Sequence, residues 1–352
     1  MRAERPSEIV RARAPDVVRE TLEEYGALVR ARLSDYFPKR EPARWLYDLL
    51  PDYPDRGGKM MRPSLCIAAA RAFGASIDDA VGSAVAIELL HNALLIHDDI
   101  EDESEERRGR PALNVLHGVP LALNVGDALA LASLRPLVEN IDRIGPRLAG
   151  AVFAETERMA WETVEGQAME LGWRRDNSAD VGDTDYLTMV LKKTCWLATI
   201  HPLRVGALIA TRGAADLDPL IRFGFLLGAA FQIQDDILNL EPDATYGKEL
   251  DGDLYEGKRT LMLIHVARCM DEAERRRLAA FLALDRRARA PSEVAWIRDL
   301  MERHGSIARA RGVAHGLAGA ALCEFNAVFG ALPDSRDKSF IQGLGAWIFR
   351  RG

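Results

Sequence analysis

Basic surplus, cysteine, strand-like patterning and long unbroken apolar runs are all scarce in this sequence. Lys and Arg number 46 against 53 Asp and Glu, a formal net charge of -7. That balance excludes the basic surplus of a typical nucleic-acid binder. The four cysteines, Cys66, Cys195, Cys269 and Cys323, are scattered with no two at a metal-knuckle spacing. They are expected to be free thiols in a reducing cytosol. The longest greasy stretch, Ala84 to Ile96, is broken by Glu88, His91 and Asn92. It is too short and too polar to span a bilayer. The arginine-rich N-terminus lacks the apolar core of a signal peptide. A soluble cytoplasmic protein follows, neither transmembrane nor a partner of nucleic acid. No run alternates apolar and polar residues with β-branched enrichment, so strands are not expected. No Pro/Ser linker divides the 352 residues. One all-α domain is expected over 1–352, with a motif-bearing core at about 40–270, an N-terminal helical extension at 1–40 and C-terminal helices at 271–352.

What the chain has is helical period. Segments rich in Ala, Leu, Arg and Glu alternate with Gly, Pro and Asp clusters. The pattern predicts helices at roughly 15–36, 60–74, 77–99, 119–141, 147–172, 182–213, 216–240, 258–270, 274–284, 290–303, 305–329 and 335–348. Two of them, "AVAIELLHNALLIHDD" and "PLIRFGFLLGAAFQIQDD", are apolar on nearly every face. Such helices belong in an interior. Both end in paired acids: Asp98 and Asp99, then Asp235 and Asp236.

Asp98 and Asp102 are four apart and share a helix face, with Asp99 beside them. Asp235 and Asn239 repeat that spacing. At a solvated helix end such a pair would cost about 1 kcal/mol, but near an apolar interior the cost is about 4 kcal/mol. The acids also close helix C-termini, where the macrodipole repels anions. A compensating cation is therefore expected. Hard oxygen ligands suit Mg²⁺, which commonly bridges carboxylates to phosphate oxygens. The ligand should then carry phosphate at one end and hydrocarbon at the other.

Basic residues follow in order. "GGKMMRP" brings Lys59 and Arg62 to a helix start, where anions are favoured. Arg107 and Arg108 follow the first acidic motif. "KKT" holds Lys192, Lys193 and Thr194, and the polar loop "YGKELDGDLYEGKRT" holds Lys248, Asp253 and Lys258. His91 and His97 lie on the first apolar helix. Taken singly, each reads as a solvated base or a satisfied core histidine; their order along one chain is what carries meaning.

With "GGKMMRP", "LLHNALLIHDDIED", "RRGRP", "GDAL", "GQAMEL", "KKT", "FQIQDDILN" and "GKELDGDLYEGKRT", the chain resembles the trans-isoprenyl diphosphate synthases (polyprenyl synthetases) over roughly residues 40–270. The resemblance implies a bundle of long helices around a central cavity, normally a homodimer. It implies three Mg²⁺ ions held by Asp98, Asp99, Asp102, Asp235, Asp236 and Asn239. Arg107, Lys193 and Lys258 would support the diphosphate of the allylic substrate. Lys59, Arg62, His91 and Arg108 would hold isopentenyl diphosphate. Gln167, Thr194 and Gln232 would lie near the reacting carbons, and Lys248 would sit on a lid loop. Asn239 and Glu170 stand where aspartate is commoner in the family. Arg350 and Arg351 resemble the basic tail that some members fold over the isopentenyl site. Product length should be read on the helix before Asp98. Ala93 is small where makers of fifteen-carbon products usually carry an aromatic residue, so geranylgeranyl diphosphate or a longer chain is expected, with Leu94 or Leu90 as stops. The alternatives are a terpene cyclase on the same fold and a non-catalytic partner subunit.

Overall fold

The computed structural model describes residues 6–241 and 250–349, with side chains from residue 16 onward. Its helices are α1 (Pro6–Leu33), α2 (Asp52–Asp55), α3 (Met61–Ala72), α4 (Ile77–Glu101), α5 (Leu113–His117), α6 (Val119–Ile144), α7 (Pro146–Arg175), α8 (Asp183–Val190), α9 (His201–Ala210) and α10 (Asp218–Leu240). After them come α11 (Gly252–Glu256), α12 (Leu261–Cys269), α13 (Glu272–Leu282), α14 (Pro291–Arg303), α15 (Ser306–Phe329) and α16 (Arg336–Trp347). The all-α expectation holds: long helices surround a cavity.

Local chemistry sets the ends of α4. Ser76 Oγ accepts from the Asp79 amide, and the Asp79 carboxylate accepts from the Ser76 amide at 3.1 Å. This capping box satisfies two orphan donors. From there α4 runs buried until its last turns, as an all-round apolar helix should. Its apolar residues join two cores. One gathers α1, α3, α4, α6, α9 and α16; the other gathers α8, α10 and α12 to α15. The cavity lies along the seam between them.

Three local features depart from expectation. The helix expected at 182–213 is not uniform: Leu191–Ile200 is wound as a π-helix between α8 and α9. Two close approaches flank it. A Cβ on Gly166 would lie 2.2 Å from the Lys193 nitrogen, and one on Gly228 would meet Thr199 Oγ1 at 2.7 Å. Only glycine lets α7 and α10 press so near. Such π segments gather at functional sites. Here Lys193 and Thr194, adjacent in sequence, both line the cavity. A small ribbon also forms where no strand was expected: β1 (Glu106–Arg107) pairs antiparallel with β2 (Arg110–Pro111). Its turn residues, Arg108 and Gly109, have φ of 54° and 71°. Both positive values mark the two-residue hairpin turn. Two residues per strand are too few to leave an alternating pattern.

Third, α4, α6 and α15 are each long and apolar enough, by length and composition, to cross a membrane. The sequence reading underestimated this because it counted unbroken runs. In the fold, 78% of the apolar window of α4 is buried, against 39% for α6 and 28% for α15. The apolarity of α4 thus belongs to the core.

Candidate active site

A cavity of about 450 Å³ opens between α4, α7, α8, the π segment and α10. Its mouth carries Asp98, Glu101, Arg107, Glu170, Lys193, Asp235, Asp236, Asp253 and Lys258. Its walls include Leu94, Leu171, Val190, Leu197 and Phe231.

The first acidic row is surrounded by cations. Lys193 Nζ donates to Asp98 Oδ1 at 3.1 Å and to Glu170 at 2.9 Å. Arg107 lies 3.6 Å from Asp98 Oδ2. Burial pushes the Asp98 carboxyl up, but Lys193, Lys258 and Arg107 outweigh it and hold it well below the usual range. Asp102 caps α4, buried, with salt bridges to Arg174 and, at 2.8 Å, to Lys258. Burial raises its carboxyl too, and Lys258, Lys193 and Arg174 together more than offset this. Asp99 does not face the cavity beside Asp98 as expected. One residue on along a helix is about 100° round. Its fully buried carboxylate accepts from Tyr53 Oη and the Arg107 guanidinium, with Arg107 Nε at 2.9 Å.

In the second row, Asp236 is oriented by neutral donors. Asp236 accepts from Tyr186 Oη at 2.6 Å and from Gln232 Nε2 at 2.7 Å. Burial, assisted by Asp235, pushes its pKa up to about 6 against the pull of those bonds. Thr194 Oγ1 donates to Gln232 Oε1 at 2.9 Å, which fixes the glutamine amide. Asn239 is buried, and its Oδ1 accepts from the Asp253 amide at 3.0 Å. Its amide oxygen therefore anchors the segment that carries Lys258.

The basic residues divide. Arg62 and His91 line the cavity, but Lys59 and Arg108 are not on its wall. Burial lowers Arg62 to about 10 and, with Arg62 beside it, His91 to about 4. His91 Nδ1 lies 3.6 Å from buried Glu88. Arg108 donates to the Tyr53 carbonyl at 3.1 Å and packs on Gly58. Lys59 sits over the Trp347 ring at 5.6 Å. Gln167 lines the cavity and donates to Glu101. Of the length residues, Leu94 is on the cavity wall, Ala93 is wholly buried in the first core, and Leu90 is half-buried against the second. Lys248, Arg350 and Arg351 lie outside the described residues.

Sequence reasoning missed Glu101, Arg174, Tyr53 and Tyr186. Arg174 had a signal: it lies four residues beyond Glu170, on the same face of α7. The tyrosines had none, because their loops and helices meet the acids only in three dimensions.

A helical cavity with acids and bases at one mouth and hydrocarbon walls below is the architecture of an isoprenoid synthase. The profile of the polyprenyl synthetase family matches residues 43–301. A short chain isoprenyl diphosphate synthase of Methanothermobacter thermautotrophicus is 33% identical over 300 residues, covering 85% of this chain and 88% of that one. The crystal structure of geranylgeranyl pyrophosphate synthetase from Pyrococcus horikoshii Ot3 superposes with a TM-score of 0.80 at 30% identity, covering 99% of this chain and all of that one (100%). Polyprenyl synthase from Caulobacter crescentus CB15, complexed with calcium and isoprenyl diphosphate, gives 0.81 at 26% identity, with 95% and 96% covered. The chain belongs to the polyprenyl synthetase family. It is accordingly a transferase, a prenyltransferase, of a family that generally depends on Mg²⁺.

Proposed function

We propose that the protein condenses isopentenyl diphosphate with an allylic diphosphate to give an all-trans polyprenyl diphosphate of twenty carbons or more. The observation that carries this is one cavity whose mouth joins Asp98, Lys193 and Lys258 to Asp235 and Asp236 above apolar walls. Mg²⁺ is usually held by one or two carboxylates completed by substrate phosphate. The oxygens of Asp98, Asp102, Asp235 and Asp236 would hold it, in three sites on the family pattern. Burial pushes the Asp236 carboxyl up to about 6, a cost that a bound cation would relieve. When bound, the metal supplies Lewis-acid stabilisation of the leaving diphosphate.

The residues then have distinct roles. Lys193, Arg107 and Lys258 receive the charge that develops as the allylic C–O bond breaks. Asp99 and Tyr53 position Arg107. Arg62 and His91 orient isopentenyl diphosphate, with Lys59 and Arg108 near its entrance. Neutral His91 is a hydrogen-bonding group, not a charge. Leu94, Leu197 and Phe231 keep water from the allylic cation. The isopentenyl double bond attacks it, a new C–C bond forms, and a proton leaves to the released diphosphate. Leu94 is the wall residue at this height, and no aromatic side chain stands at Ala93 behind it, which supports a product of twenty carbons, such as geranylgeranyl diphosphate, or longer.

A homodimer is supported by the apolar face on α6 and α7, where Leu123, Leu131, Leu134, Val138, Ile141 and Trp161 are exposed. A face of that extent needs covering.

The test uses labelled isopentenyl diphosphate with and without an allylic primer. Elongation in the primed sample alone is expected. A cyclic hydrocarbon made from primer alone would overturn the reading in favour of a cyclase.

A further inference from the structure

A second cavity, of about 420 Å³, lies behind the first. The loop after α7 and the helices α12 and α13 enclose it. Val181, Leu263, Leu278 and Leu282 give it apolar walls. Its volume is in the range of small-molecule sites.

One end is charged. Arg268 and Arg275 stand at the rim, and each has a carboxylate: Asp183 at 3.1 Å and Glu272 at 3.6 Å. Arg259 differs. It is 5% exposed and lines both cavities. Its donors reach only neutral acceptors among the described residues: the Ser178 and Gly257 carbonyls and, at 2.9 Å, Asn177 Oδ1. Burial, with Arg289 and Arg174 nearby, lowers its pKa to about 10. A guanidinium has five N–H donors, so two or so remain for a ligand. A buried cation without a counter-charge is costly unless an anion completes it. Asn177, in left-handed backbone at φ 47°, also donates to the Ala279 carbonyl at 3.0 Å, tying Arg259 to α13.

We propose that this cavity binds an amphiphile with a phosphate head, the head against Arg259 and the hydrocarbon chain between α12 and α13. Planar, bidentate recognition by arginine suits phosphate. The site is separate from the reaction cavity, and Arg259 is the wall they share. Its neighbour in sequence, Lys258, lines the reaction cavity alone and salt-bridges Asp102, so the two sites meet at Arg259.

The test is calorimetric titration of the full-length protein with dodecyl phosphate. Two molecules should bind per chain, one in each cavity. Ala267→Trp and Ala279→Phe, which fill the second cavity from α12 and α13, should each leave one, with prenyl transfer unchanged. Arg259→Gln should weaken the second site at least tenfold. An equal number of sites in wild type and both filled variants, or an unchanged affinity in R259Q, would overturn the proposal. Repeating the titration with farnesyl phosphate separates the sources of such a molecule: preference for the branched chain points to an isoprenoid, preference for the straight chain to a lipid-derived phosphate. Either preference, lost in Ala267→Trp, supports the site.

Discussion

The two acidic rows look alike in sequence and differ in their surroundings. Asp98 and Asp102 meet Lys193, Arg107, Lys258 and Arg174. Asp236 meets the hydroxyl of Tyr186 and the amide of Gln232. The first row is therefore neutralised by the protein and ordered before any ligand arrives. In the second, Asp236 is oriented by a hydroxyl and an amide, and its burial outweighs the pull of its partners, Lys258 included. Neutral donors can aim a carboxylate without removing the cost of its burial. The difference suggests a division of labour: the first row presents cations that accept the diphosphate, and the second creates the demand that a divalent ion satisfies.

Turnover gives the largest test. Asp98→Ala and Asp235→Ala should each lower it by about 10²–10³-fold or more, the scale of losing a charge-stabilising group. Near-native rates in either variant, assayed with Mg²⁺, would break the assignment. Their folds should both survive. Without Asp98, Lys193 keeps Glu170 and Arg107 keeps Asp99.

Stability sharpens the contrast next. The folded pKa of Asp236 is about 6, above its ordinary 3.8. A raised acid binds its proton more tightly when folded, so its burial penalty is present above pH 6 and fades as pH falls toward 4. The shift corresponds to about 3 kcal/mol. Metal-free Asp236→Asn should thus be more stable than wild type at pH 7.5, by up to about 3 kcal/mol in denaturant titration, and the gap should close by pH 4. Comparing the two proteins cancels His91 and His201, whose lowered pKa values of about 4 act on both. For the first row the sign is opposite. Asp98 is depressed, so its stabilisation holds above its ordinary pKa and is lost only in strong acid. If Asp236→Asn is less stable at pH 7.5, burial does not penalise the Asp236 carboxylate.

The helices were legible because a buried helix leaves a periodic trace over many residues, as α4 and α10 did. The acids were legible because their spacing is that of one helix turn. What stayed hidden depends on phase. Asp99 faces away from the cavity because it stands about a quarter turn round from Asp98, and a five-residue motif read as one face conceals that. The π segment at Leu191–Ile200 was hidden for a related reason. Its cause is the approach of Gly166 and Gly228 from other helices, and no local propensity records it. Arg107 and Arg108 read as a single charge run. A two-residue turn sends one to Asp99 and the other to the Tyr53 carbonyl.

Phase also decides the smallest effect, on product length. Leu94 faces the cavity, whereas Ala93, one residue earlier, is wholly buried against other helices. Leu94→Phe should therefore shorten the product seen by chromatography, with little change in melting temperature. Ala93→Phe should also shorten it, by driving the ring past its neighbours toward the wall. That substitution overpacks the first core and should cost about 1–3 kcal/mol. Stability thus separates the two positions even where their products coincide. If Ala93→Phe leaves both melting temperature and product spectrum unchanged, the first core is looser than its packing suggests, and the wall before Asp98 does not set the length.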